Sequence, residues 1–133
     1  MILKGEKVSI GTDKEKIIKF LTNPKNFELL LPMEKVKDFK SDAEGCSFKV
    51  QGGVIISLIQ DGQEGNSKLF LKSGEKSPFP FKLTIHLDQI DGSTEGYIHF
   101  DGEVNMFLKM MVEKPLTNLF NYMSNKLQAY FTA

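Results

Sequence analysis

The C-terminal quarter, from Asn105 to Ala133, constrains this chain more than any other stretch. Val112, Leu116, Leu119, Phe120, Met123, Leu127 and Tyr130 recur in steps of three and four, which puts them on one face of a long helix. Asn118, Asn121, Asn125 and Gln128 point the other way. From Glu34 to Val104 the pattern runs in steps of two, as short strands with Gly-rich turns. A sheet of such strands has an apolar face that needs a cover, and the C-terminal helix is the large element left to provide it. The fold class is therefore α+β, and at 133 residues the whole of 1–133 reads as a single domain.

The earlier segments fill in the order. Residues 2–10 alternate as a first strand with Val8 and Ile10 inward. Thr12 and Glu15 have the spacing of a capping box, followed by a helix with Ile17, Ile18, Phe20 and Leu21 on its apolar stripe. A second short helical piece carries Phe27, Leu29, Leu30 and Leu31 and ends at Pro32. Six strands follow near 34–41, 45–51, 54–61, 66–73, 81–90 and 94–104. Asp91-Gly92 signals a type I′ hairpin that aligns Leu83, Ile85 and Leu87 with Ile98 and Phe100. Pro115 lies inside the last helix, where a proline costs about 3 kcal/mol, and the stripe loses phase before it. The sequence predicts a break or bend just before it, with 105–113 as a separate short segment.

Charge is balanced, 17 basic against 17 acidic, and every basic residue is Lys. With no net field and no Arg for bidentate recognition, nucleic acid is not an expected partner. Apolar runs such as Val54–Ile56 reach only three residues, far too short to span a bilayer, so no integral membrane association is expected. The start of the chain has no apolar h-region, and a soluble cytoplasmic protein is the expectation. Cys46 is the single cysteine and reads as a small buried hydrophobe.

No catalytic constellation stands out: there is no Ser-His-Asp order, GxSxG, phosphate-cradling glycine loop, HExxH or CxxC. No catalytic residue, metal ligand or cofactor is assigned, and the reading leans away from an enzyme. His86 and His99 fall by strand parity on the outer sheet face, as solvated neighbours across the hairpin. Lys109 and Glu113, four apart, read as a surface ion pair.

The order of one strand, two short helices, six antiparallel strands and a long helix resembles the START-like, helix-grip superfamily. That superfamily includes birch-pollen-allergen-like proteins, polyketide cyclases, lipid-transfer START domains and Hsp90-activator domains. Residues 13–24, Asn26–Pro32 and Phe107–Leu116 resemble the corresponding segments of its small bacterial SRPBCC-type members. The resemblance is one of pattern over essentially the whole chain. It implies a curved seven-stranded antiparallel sheet wrapped around the C-terminal helix, with a cavity between them for a small hydrophobic molecule such as a lipid, quinone or polyketide. Carried onto this chain, the implied lining is Phe27, Leu30, Phe48, Ile56, Leu71, Leu83, Ile85, Leu87, Ile98, Phe100, Leu116, Phe120 and Met123. The opposing expectation is that these side chains close into a solid core. Two rival functions accompany the binding module: a cyclase- or dehydratase-type enzyme using the same cavity, and a protein-interaction domain with a closed core and a working outer surface.

Overall fold

The computed structural model describes residues 1–132. Eight strands form one antiparallel sheet: β1 (Ile2–Lys4), β2 (Val8–Ile10), β3 (Lys37–Ser41), β4 (Gly45–Lys49), β5 (Ile55–Glu64), β6 (Lys68–Ser73), β7 (Phe81–Ile90) and β8 (Ser93–Gly102). Between β2 and β3 lie helix α1 (Lys14–Leu21) and a 3-10 helix (Pro24–Leu29); α2 (Met106–Tyr130) closes the order. Spatially the strands run β1-β8-β7-β6-β5-β4-β3, with β2 also on β8.

The count exceeds seven because the first predicted strand is interrupted. β1 pairs with the end of β8 and β2 with its beginning, and Gly5–Lys7 bridges them. The amide of Gly5 still donates to Ile98 O at 2.8 Å, and that of Glu6 turns away to the Asn121 carboxamide of α2 at 3.0 Å. Gln128 donates to Ser9 O at 2.8 Å. Two residues of the polar helix face thus clasp the interrupted strand.

The hairpin forms as its sequence dictates. Asp91 and Gly92 both have positive φ, 41° and 84°, and the register runs from Ile90↔Ser93 to Phe81↔Gly102. The N-cap of α1 is one residue later than predicted: the Asp13 carboxylate accepts from Lys16 N at 3.0 Å, while Thr12 O accepts from the buried Thr94 hydroxyl.

The predicted break before Pro115 does not occur; α2 is continuous through it. Val112 and Leu116, on either side of the proline, are both buried, so packing holds both halves in one continuous helix. Met111, whose carbonyl would have received the missing N–H, is exposed, and water is within reach of it. Lys109 and Glu113 pair at 3.7 Å along the same turns.

The core lies between the inner sheet face and the helices. Phe100 sits at its centre, 5.0 Å from the Phe81 ring, 5.3 Å from Phe120 and edge-on to Phe79. Tyr130, at the end of the predicted stripe, reaches the surface, where its ring lies 4.5 Å from Phe20.

Candidate functional site

All thirteen implied lining residues are buried. They make a packed core, and the space left within it is small. A void of about 20 Å³ remains, bordered by Phe27, Leu30, Ile85, Leu87, Ile98 and Met123 together with residues of β2 and α2. That is room for about one water molecule. At this place helix and sheet therefore lie close together.

A second opening lies at the side of the core. A cleft of about 160 Å³ lies where α2 faces the Pro32–Val36 turn and the end of β4. Pro115, Leu119 and Tyr122 form its helical wall, and Pro32, Val36 and Val50 the facing one. Asn118, Gln51, Glu34 and Lys35 supply polar atoms at its border. The turn is fixed by the Lys35 and Val36 amides, which donate to Pro32 O at 2.7 and 3.0 Å. Val50 is held by the β4–β5 turn, where its N–H reaches Val54 O and its carbonyl receives Gly53 N.

Sequence reasoning missed this cleft because its residues come from three distant segments, and only Val50 continues the inward pattern of its strand. A signal was nevertheless present in α2. Phe107, Met111, Pro115, Asn118 and Tyr122 recur at four, four, three and four, a second helical face beside the core stripe. At its upper end the face is uncovered. Met106, Phe107, Met110 and Met111 are exposed by 42% at Met111 to 78% at Met110.

Polar chemistry inside the core is limited to hydroxyls among the described residues: Ser57, Thr94 and Ser124 are the buried polar side chains. Cys46 is buried, and desolvation, reinforced by the Asp42 carboxylate, pushes its thiol up to about 12. A thiol held protonated in this way is a poor nucleophile.

On the outer face, His86 stacks on Tyr97 with ring centroids 4.5 Å apart and meets His99 edge-on at 6.3 Å. Partial burial, then Lys68 and His99, lower its pKa below the ordinary value of 6.5, with Asp88 opposing and Lys4 adding slightly. The unfolded chain takes up this proton near 6.5, whereas the folded chain resists to lower pH. Stability from this residue is thus complete above about 6.5 and falls as pH drops through that value toward the folded pKa. His86→Phe keeps a ring against Tyr97 and removes the titration. We expect thermal unfolding at about pH 5 and about pH 8 to show a smaller acid loss in the variant than in the wild type; equal losses would contradict the assignment.

An antiparallel sheet curved around a long C-terminal helix, with two short helices after the first strands, defines the START-like, helix-grip architecture. No family model and no curated protein sequence matches the chain. Among solved structures it is similar to a START superfamily protein from Mycobacterium smegmatis, with a TM-score of 0.74 and 14% identity over 98% of this chain and 96% of that one. A protein from Thermus thermophilus superimposes with a TM-score of 0.71 at 14% identity, covering 97% and 95%. Norcoclaurine synthase from Thalictrum flavum, solved as a point mutant with a transition-state analogue, gives 0.71 at 14% identity, covering 98% and 93%. At these identities the likeness is one of fold. Among the described residues no helix is long and apolar enough to cross a membrane.

Proposed function

We propose that this protein binds a small hydrophobic molecule between α2 and the sheet, with the cleft at Pro115, Leu119 and Tyr122 as its seat. The observation that carries the reading is the cleft itself: about 160 Å³, walled by Pro, Val, Leu and Tyr side chains against an otherwise filled interior. An engineered apolar cavity of about 150 Å³ takes up benzene, so the space suits one ring or a short alkyl chain. Binding is driven by apolar burial, with the Tyr122 hydroxyl and the Asn118 and Gln51 amides available to orient a polar end.

The test is native mass spectrometry of gently purified protein, with organic extraction of whatever is released on denaturation. A stoichiometric apolar adduct is expected, and it should be lost in Leu119→Trp, which fills the cleft. A clean unliganded mass after exposure to lipid and quinone extracts would overturn the reading. A second reading, a protein-interaction domain like the Hsp90-activator relatives, is favoured by one observation, the uncovered ledge of Met106, Phe107, Met110 and Met111.

A further inference from the structure

Next to the cleft, and sharing Lys35, Val50 and Gln51 with it, lies a wider hollow of about 540 Å³ whose other borders are Lys37, Lys49 and the Gly52-Gly53 turn. Lys37 and Lys49 are direct partners across the β3–β4 ladder. Like charges directly opposite each other on a sheet repel and are ordinarily avoided. Asp38 offsets part of this, pairing with Lys49 at 3.4 Å, but it does so from a left-handed backbone with φ of 55°, a conformation that non-glycine residues rarely hold. Glu34 is the other carboxylate at the cleft border. Three ammonium groups against two carboxylates leave the hollow positive, in a protein whose charges balance overall.

We propose that the ligand is an anionic amphiphile, its alkyl or ring end in the apolar cleft and its oxyanion head over Lys35, Lys37 and Lys49. This rests on the cleft being the binding seat and adds the class of molecule that fits it. Lys37 and Lys49 face the side of the sheet opposite to Val36 and Val50, so a molecule seated in the cleft reaches them by turning the end of the β3–β4 pair, where both hollows share Lys35 and Gln51. A carboxylate or phosphate relieves the Lys37–Lys49 repulsion that the folded protein otherwise retains. Lys suits such a head as a set of point charges, without the forked geometry that Arg would impose.

The experiment is an amide NMR titration of the full chain with octanoate, octyl phosphate, octanol and octylammonium. All four alkyl chains should shift the Val36, Gln51 and Leu119 amides. At least one anion should bind about five- to tenfold tighter than octanol, and the cation should bind more weakly, since each exposed charge contributes modestly. The advantage should shrink to about twofold or less in high salt. It should also fall in the double variant Lys37→Gln, Lys49→Gln, whose residues do not border the cleft, while octanol affinity stays unchanged. Salt dependence is read on the wild type, so it stands even if the variant folds poorly. Equal affinities for octanoate, octyl phosphate and octanol would overturn the anionic class while leaving the apolar cleft intact. No shift with any of the four would remove the cleft as a binding seat and this inference with it.

Discussion

Replacing Phe100 with Ala is expected to cost about 3–5 kcal/mol of unfolding free energy, a large part of what a domain of this kind possesses. Phe100 is fully buried on β8 and faces Leu83 across one ladder and Leu3 across the other. Its ring meets Phe81, Phe79 and Phe120, and so joins the sheet, the loop before β7 and α2 at one point. Truncation removes the transfer energy of the ring and leaves a void that neighbours on three elements cannot all collapse into. Urea denaturation should show a lower midpoint with an unchanged slope, and benzene should restore part of the loss by occupying the void. A cost below about 1 kcal/mol would mean that the interior relaxes easily, contrary to a tightly closed core.

The fold was legible because both of its periodicities are nearly unbroken. β8 alternates over its ten residues and β7 over its first eight, and the Asp91-Gly92 turn fixes their register, so one hairpin sets the inner face for the whole sheet. Short-range chemistry was harder to read. In residues 2–10 Gly5 is the one local sign of the interruption at Gly5–Lys7, and Asn121, more than a hundred residues away, takes the Glu6 amide there. Pro115 predicted a break by local rules, and tertiary packing of Val112 and Leu116 overrode it. The cleft was least legible. A strand pattern tells which side chains face inward but not whether they leave space, and volume depends on how distant turns seat against a helix. Pro32, Val36 and Val50 are ordinary in their own segments and form a wall only because those turns converge on Leu119 and Tyr122.

The other large effect concerns the strand that carries that wall. Gly45 opens β4 and pairs with Ile59 of β5, and a Cβ at this position would overlap the Leu58 carbonyl oxygen and stand 3.0 Å from Ile59 Cα. Both obstacles are backbone, so no rotamer change relieves them. Upstream, the Asp42 carboxylate accepts from the Glu44 and Gly45 amides at 2.8 and 3.1 Å, and Asp42 N donates to Gly45 O at 2.9 Å, which pins the turn on the other side. The strand has to move away from β5. Gly45→Ala is therefore expected to lose about 1–3 kcal/mol or more, as overpacking against fixed atoms does, and to expose amides along the β4–β5 ladder to hydrogen exchange. Gly52→Ala provides the contrast. Gly52 has φ of 92° but open space around it, so its cost is the backbone conformation alone, about 1–2 kcal/mol, without loss of protection in β4. Because Phe48 and Val50 follow Gly45 on the same chain segment, its displacement should also weaken octanol binding in the cleft, whereas a Gly45→Ala variant with wild-type β4 protection would show that the two strands have room to spare.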